Sequence, residues 1–508
     1  MKSAKYKSCN YIYILVLILL SALVLRLINI TTFDFTPDEA LYSYISRGMS
    51  QGHFIISAYY HPLLTFLYPL SWIFSVLGAS VIIARLFAVF LGLAGILVLY
   101  YITKELYDKK TALISGLILA VFPLHILMSK MAMADILTNL IFLLLFYMML
   151  VFHKTGQKKY LYLGAVIFGL GINNVENVVL FTPLFMIYAV LNPDIIKKLQ
   201  FRSVTAAIII AALVALPTLG SFIIFKFLGF PTPILHYTNT AGFGSGILEN
   251  FSFYITGFVN DNTIFFALSS LMALIYFLYY RDRKSGFLLA WFVLIFCFFS
   301  LASGISFTRY LLLVLIPVSI LIGRMVVEVF ENNRILIVYI LLGLFIISIN
   351  HTISQSFPDW KGWDEVGSYI KTNTQPDDLI FTDQGWIINF YADRYATNYI
   401  NYNELENPPE NLKFIVIKAD EFQKEKTRQY AEYIDKNFQL TKTIKDFKIY
   451  SVSELKRSKA FRPKPFFADI YLKMWSECNY SFQCLKEKIS VQYGGSAPIS
   501  SDKNFYTQ

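Results

Sequence analysis

Three carboxylates follow closely on the first long apolar run of the chain. Asp34, Asp38 and Glu39 lie within the segment FDFTPDEALY, residues 33–42. Pro37 suits the first turn of a helix, which predicts Asp38 and Glu39 near a helix N-terminus, where the dipole favours charged carboxylates. A carboxylate there can take a proton from a bound hydroxyl or bind a divalent cation. A plain helix cap is the alternative that the spacing leaves open.

Further ionisable residues lie at the ends of later apolar runs. Asp135 precedes the run 136–152, while Arg85 and Arg309 lie near the starts of the runs 81–103 and 309–328. An ionisable residue at a membrane boundary is a functional hypothesis, because it is costly to leave unpaired near lipid. A guanidinium can bind phosphate through two hydrogen bonds. It can also extend to lipid headgroups without a specific role, and this alternative stays open for both arginines.

The composition indicates a membrane protein with many spans. Hydrophobic residues make up 56% of the 508 residues and charged ones 15%, and the mean hydropathy is +0.53. The net charge of +10 comes from lysines and arginines that are typical of cytoplasmic loops in such proteins. No long basic patch is interleaved with aromatic residues, so we expect no nucleic-acid partner.

The distribution of these basic loops predicts the topology. We expect an α-helical protein with about eleven transmembrane helices and two juxtamembrane helices, at 38–50 and 62–77. Placing 62–77 along the interface keeps every loop rich in Lys and Arg in the cytoplasm, as the positive-inside rule requires. The N-terminus is then cytoplasmic, and the acidic segment near residue 38 faces outward in a multi-pass protein of the cell membrane.

The C-terminal part of the sequence changes character after residue 352. We predict a transmembrane domain at 1–352, an extracytoplasmic α/β domain at 353–456 and a poorly patterned tail at 457–508. Strand-like runs at 378–382 and 413–417 alternate with helical stretches near 363–372 and 421–436. Cys478 and Cys484 in the tail are predicted either to pair as a small disulfide loop or to stay free thiols.

Several of these motifs together resemble a known family. TPDEALY at 36–42, HPL at 61–63, ARL at 84–86, Ala134-Asp135 and TRY at 308–310 followed by Pro317 occur in the order seen in the polytopic C-type glycosyltransferases. This family, called GT-C, includes the protein O-mannosyltransferases and the lipid A aminoarabinose transferases. The resemblance covers roughly residues 10–325, and an outward α/β domain is a common companion.

The resemblance implies an inverting glycosyltransferase in the membrane. A sugar would pass from a polyprenyl- or dolichyl-phosphate donor to a hydroxyl of a protein, glycan or lipid acceptor at the outer face. By the family pattern Asp38 is the general base, and Asp135 is the second outward acidic residue or a helix cap. Glu39 would orient the acceptor, support Asp38 or simply cap the helix. We expect Asp34 to be a solvated loop residue.

The resemblance also implies where the donor phosphate binds, and it leaves some positions open. Arg85, Arg309 and His61 are the predicted phosphate ligands, although His61 can also serve only to close its loop. The chain departs from a Lys-Gly element of many relatives and has GINNVEN at 171–177, so Glu176 is a candidate acceptor or metal residue. His236 and Tyr237 belong to the loop 231–250, which is either a substrate lid or a passive connector. No ligand spacing establishes a metal, so a divalent cation remains an open expectation.

The main alternative from another class is a secondary transporter of a small solute or a lipid-linked sugar. Transporters place ionisable residues at the bilayer midplane and often contain repeated halves. In this sequence the charges cluster at the outer ends of the runs, no half-repeat is visible, and a sizeable outward domain follows. These observations favour the enzyme.

Overall fold

The computed structural model describes residues 2–53, 64–227, 247–280, 282–301, 307–355, 357, 360–398, 405, 408–423 and 428–452. The tail at 457–508, with Cys478 and Cys484, lies outside these ranges. The described helices are α1 Lys2–Leu27, α2 Pro37–Ser50, α3 Leu64–Leu77, α4 Val81–Leu106, α5 Lys109–Val121, α6 Pro123–Lys130, α7 Ala134–Thr155, α8 Lys158–Ile172, α9 Phe181–Leu191, α10 Asp194–Lys198, α11 Phe201–Val214, α12 Leu216–Phe227, α13 Ile247–Tyr279, α14 Arg283–Leu301, α15 Leu312–Val329, α16 Arg334–Ser354, α17 Trp363–Asn373, α18 Gly385–Ala392 and α19 Arg428–Asn437.

Long apolar helices make up most of the described chain, and the protein is a multi-pass membrane protein. In the described ranges, six helices are long and apolar enough to cross a membrane, or seven if the bent pair α5–α6 forms one span. Four shorter apolar helices accompany them. The α-helical membrane architecture is thus confirmed, and the number of eleven spans stays a prediction.

The helix that begins in the acidic segment forms as the sequence predicts. Thr36 precedes α2 in an extended conformation and Pro37 occupies its first turn. The Glu39 carboxylate reaches back to the Thr36 backbone N–H at 3.1 Å, which completes the capping box that the spacing Thr-x-x-Glu allows. The stretch 62–77, which is predicted to lie along the membrane interface, also contains a helix, α3, over the residues that the structure describes.

Two apolar runs that the sequence shows as continuous are broken in the structure. The run 111–129 bends by 61° between α5 and α6, where Pro123 begins the second helix. The run 254–280 lies in α13, and Thr263 interrupts this helix with a φ of 65°. A non-glycine residue with this backbone conformation is strained, so the surrounding contacts must hold the break in place.

A five-stranded sheet forms the C-terminal part, in the order β2-β1-β3-β5-β4. Its strands are β1 Leu379–Thr382, β2 Tyr395–Asn398, β3 Leu412–Lys418, β4 Gln439–Ile444 and β5 Phe447–Ser451. Strand β1 pairs in parallel with β2 and β3, whereas β5 pairs in antiparallel fashion with β3 and β4. The two apolar strands β1 and β3 match the predicted runs, and the α/β character is confirmed. The shorter or more polar strands gave no clear signal.

The α/β part packs directly on α2. Arg47 donates hydrogen bonds to the carbonyl oxygens of Phe390 and Asn389, at 2.8 and 3.0 Å, and to Asp393 at 2.9 Å. Phe35, just before α2, packs edge-on against Phe390 at 4.8 Å between ring centroids. These contacts join both ends of α2 to the C-terminal helix α18.

Asp34 takes part in the same contact, so the expectation that it is a solvated loop residue is wrong. Its carboxylate accepts the Trp363 N–H at 2.9 Å, and its own N–H donates to the Trp360 carbonyl oxygen at 2.6 Å. Partial burial, together with the nearby Asp364 carboxylate, raises the pKa of Asp34. The residue therefore connects the acidic segment to the start of α17.

Candidate active site

Asp38 and Asp135 approach each other across one arginine. The Arg309 Nη1 donates to Asp38 Oδ2 at 2.6 Å, and Arg309 Nε lies 3.8 Å from Asp135 Oδ1. The Asp38 side chain is 39% exposed, whereas those of Arg309 and Asp135 are both 18% exposed. Residues about 100 and 270 positions apart thus meet in one polar cluster, which includes three of the residues singled out from the sequence.

The 3₁₀ turn Thr308–Leu311 that precedes α15 presents this arginine. The Arg309 guanidinium lies over the Phe307 ring, 4.1 Å from its centroid, which limits its motion. The neighbouring Thr308 hydroxyl bonds the Asp261 carboxylate, two residues before the break in α13. Gly257 on α13 lies so close to Thr308 that a Cβ there would overlap the threonine methyl group. The broken helix therefore sets the position of Arg309.

Glu39 lies next to Asp38 in sequence and has the opposite environment. It is fully buried, and its two oxygens accept hydrogen bonds from three other residues. Thr36 donates through its N–H and hydroxyl to Oε2, and the Ala132 N–H donates to Oε1 at 2.9 Å. Arg85 contributes two parallel bonds, from Nε to Oε1 at 2.9 Å and from Nη2 to Oε2 at 3.0 Å. This carboxylate has no face open to an acceptor.

Arg85 is equally enclosed, which disagrees with the phosphate-binding role predicted for it. The side chain is fully buried, and all five of its N–H donors are used. Besides Glu39, they bind the carbonyl oxygens of Ile30 at 2.7 Å, Phe33 at 2.9 Å and Asp34 at 2.9 Å. A lipid phosphate has no free donor to bind here, because the guanidinium already holds the acidic segment against α4.

Two tyrosines that the site-residue predictions omit complete the cluster. Tyr42 is buried one turn beyond Asp38, and it interacts electrostatically with Asp38, Arg309 and Asp135. Tyr310 interacts with the same charged residues and also with Glu176, which begins a 3₁₀ turn. Glu176 therefore lies near the cluster, on the side of Tyr310. Both tyrosines belong to the sequence motifs TPDEALY and TRY, and their presence in these motifs could have identified them as candidate site residues.

The remaining predicted site residues lie outside the described ranges. These are His61, His236 and Tyr237, so their contacts with the cluster stay untested. Across the described parts of the chain, no group of three or more His, Cys, Asp and Glu side chains is arranged to hold a metal ion. The Asp38 and Asp135 carboxylates lie on either side of the Arg309 guanidinium instead of around a metal position.

Comparison with known proteins agrees with this fold. A family model described as "Dolichyl-phosphate-mannose-protein mannosyltransferase" matches residues 60–225, which is less than half of the chain. The crystal structure of ArnT from Cupriavidus metallidurans in the apo state superposes with a TM-score of 0.63 at 14% sequence identity, and the match covers 86% of this chain and 97% of that one. The chain has the GT-C glycosyltransferase fold. Comparison with curated protein sequences found no significant match.

Two further GT-C structures contain lipid phosphates. ArnT bound to undecaprenyl phosphate matches at a TM-score of 0.62 and 14% identity, over 88% of this chain and 99% of that one. The archaeal oligosaccharyltransferase AglB from Archaeoglobus fulgidus, in complex with an inhibitory peptide and a dolichol-phosphate, matches at 0.57 and 16% identity, over 84% and 71%. The resemblance to polytopic membrane glycosyltransferases that the sequence motifs indicate is confirmed.

Proposed function

We propose that this protein transfers a sugar from a polyprenyl-phosphate donor to a hydroxyl acceptor, with Asp38 as the general base. The observation that carries the proposal is the contrast between two adjacent carboxylates. Glu39 is fully enclosed, whereas the Asp38 side chain is 39% exposed and one oxygen is anchored by Arg309. A base must reach the proton that it removes, and of these two only Asp38 can do so.

The chemistry divides between the members of the cluster. An acceptor hydroxyl loses its proton to the Asp38 carboxylate as its oxygen attacks the anomeric carbon of the donor. The bond between that carbon and the phosphate oxygen breaks, and the electron pair stays on the phosphate. Arg309 holds Asp38 in place through one bond and provides a positive charge near the departing phosphate. Asp135 balances the charge of Arg309 from the other side.

The bound lipids of the matched structures support the class of donor. ArnT binds undecaprenyl phosphate and AglB binds dolichol-phosphate, and both share this fold. The acceptor is proposed only as a hydroxyl of a protein, glycan or lipid. Glu176, His236 and Tyr237 are proposed to face that acceptor, and His61 the donor phosphate.

The proposed topology places the reaction outside the cytoplasm. The N-terminus is cytoplasmic, about eleven helices span the membrane, and the 353–456 domain lies outside above α2. Cysteines introduced singly into a cysteine-free chain and labelled with a membrane-impermeant reagent test this arrangement. We expect labelling at residue 442 in intact cells and none at residue 331, and the reverse pattern would overturn it.

The function is tested in a strain that lacks the gene, by mass analysis of its glycans and envelope lipids. Wild-type protein should restore one sugar modification, and Asp38→Asn should not, although it reaches the membrane in equal amount. Glu331→Gln removes an exposed carboxylate distant in sequence from the cluster and serves as the matched control. Restoration by Asp38→Asn would exclude it as the base. Repeating transfer in membrane vesicles with and without a chelator tests the open expectation of a divalent cation.

A further inference from the structure

Lys130 is a buried lysine that the predictions from sequence did not assign to the site. It ends α6 and is only 2% exposed. Its ammonium group carries three hydrogen-bond donors. The charged side chains that act on it most are Arg26 and Arg85, which are also cations. Within the described part of the chain, no hydrogen bond or ion pair involves this ammonium group.

The neighbouring charged groups offer it no partner, because Arg26 and Arg85 are cations and the Glu39 carboxylate is already occupied. Arg26 donates to the carbonyl oxygens of Ala22 at 2.9 Å and Ala120 at 3.1 Å, and contacts His125 Nδ1 at 2.6 Å. Glu39 is saturated by Arg85, Thr36 and Ala132. A buried charge without a partner is destabilising, because nothing compensates for its loss of hydration. An anionic ligand would remove that cost.

The position of Lys130 ties it to the cluster around Arg309. Two residues beyond it, the Ala132 N–H binds Glu39, and five residues beyond it is Asp135. Five residues span at most about 18 Å, which limits the separation of the Lys130 and Asp135 backbones. His351 on α16 interacts with Lys130 and with Asp261, and Asp261 itself bonds Thr308. Lys130 is thus linked to the turn that carries Arg309 through His351, Asp261 and Thr308.

We propose that Lys130 is a further phosphate-binding residue of this site, and that it binds the phosphate monoester left on the polyprenyl chain after sugar transfer. The proposal rests on the proposed function. When the bond between the anomeric carbon and the phosphate oxygen breaks, the electron pair moves to that oxygen, and the diester with one charge becomes a monoester. A monoester carries about −1.5 to −2 near neutral pH. Lys130 therefore stabilises the charge that develops during the reaction more than the charge of the donor.

This assignment replaces Arg85, whose donors are all used, with a cation whose donors are free. It predicts that a phosphate monoester on a prenyl chain binds more tightly than the matching alcohol. It also predicts that binding weakens below about pH 6, where the monoester takes up its second proton. Neither effect is expected of a lysine that serves only to pack against α1 and α4.

The test measures binding of farnesyl phosphate, farnesol and inorganic phosphate to the purified full-length protein in detergent. Lys130→Met keeps the length of the side chain and removes the charge. Lys154→Met is the control, because Lys154 is exposed and pairs with Glu105 at the other end of α7. We expect Lys130→Met to bind farnesyl phosphate at least tenfold more weakly, with farnesol unaffected, and the control to behave as wild type.

Each outcome decides between the two proposals. Equal affinity of Lys130→Met and wild type for farnesyl phosphate would overturn the assignment, even if Asp38→Asn still abolishes transfer. If Lys130→Met loses affinity for farnesyl phosphate, the assignment of Lys130 is supported, even if none of the tested donor sugars is transferred. If inorganic phosphate binds as tightly as farnesyl phosphate, the lipid source is excluded and a soluble phosphate ligand replaces it. Should Lys130→Met fail to fold, Lys130→Gln and Lys130→Arg provide the same comparison, with binding expected only in the arginine variant.

Discussion

Glu39 and Asp38 are adjacent, and the structure predicts opposite consequences for removing their charges. In Glu39→Gln, one carboxylate oxygen becomes an NH₂ group. Oε1 accepts from Arg85 and Ala132, and Oε2 accepts from Arg85 and Thr36. Either orientation of the amide therefore places N–H against N–H and leaves the Arg85 charge without its counterion. Breaking a buried ion pair in this way costs about 3–5 kcal/mol.

For Asp38→Asn the expected loss of stability is far smaller. Asp38 is 39% exposed and forms one bond to Arg309, which keeps Asp135 as a neighbour. An ion pair with this degree of exposure contributes about 0–1 kcal/mol. We therefore expect Glu39→Gln to lower the thermal midpoint strongly and Asp38→Asn to lower it little, while Asp38→Asn abolishes sugar transfer.

The assay is thermal unfolding of purified wild type and both variants, in one detergent and at one heating rate, because membrane proteins often unfold irreversibly. Transfer per folded molecule is measured on the same samples. The double variant Glu39→Gln with Arg85→Met is expected to lose less stability than the sum of the single variants, since no unpaired charge remains. If Glu39→Gln keeps the wild-type midpoint and yet loses transfer, Glu39 is a member of the catalytic machinery and the structural assignment is refuted.

Three further predictions follow from contacts around the cluster. Gly257→Ala should reduce sugar transfer, because the added Cβ displaces Thr308 and with it Arg309. Gly343→Ala is the control and should not reduce transfer, because a Cβ at Gly343 meets open space. Equal activity of both variants would contradict the role of the broken helix. Arg47→Ala removes the hydrogen bonds that join α2 to the C-terminal domain. We expect α18 to become more accessible to limited proteolysis and sugar transfer to become slower. An unchanged digestion pattern would contradict the prediction. The pKa of Asp34 is higher in the folded protein than in the unfolded chain, where it is about 3.9. The protonated side chain therefore stabilises the fold below the unfolded pKa, and this stabilisation is lost as the pH rises through the folded pKa. Asp34→Asn keeps an acceptor for the Trp363 N–H, so it should be at least as stable as wild type at pH 7. The difference in stability should shrink toward pH 4. If the variant is less stable than wild type at pH 7, the charge of Asp34 is needed for the fold.

Local sequence rules predicted much of the fold. The spacing Thr-x-x-Glu around Pro37 predicted the start of α2, because a capping box depends only on residues within one turn. Long apolar runs predicted the membrane helices, and two apolar runs predicted the central strands β1 and β3. Strands β2 and β4 were missed, because β2 (YATN) contains no apolar run and β4 is largely exposed and polar. The strain at Thr263 has no local signal, since it depends on contacts that α13 makes with other helices.

The candidate residues, and their place in a membrane protein, can be read from the amino-acid sequence. How Asp38 and Glu39 divide their roles depends on tertiary packing. Successive side chains on a helix point about 100° apart, so one of two adjacent carboxylates faces the protein interior while the other does not. Which one does so depends on where α4 and the segment 130–135 pack, and these lie tens of residues away. The same packing enclosed Arg85, left Arg309 between two carboxylates and buried Lys130, because the pairing of charges depends on distances that no sequence spacing specifies.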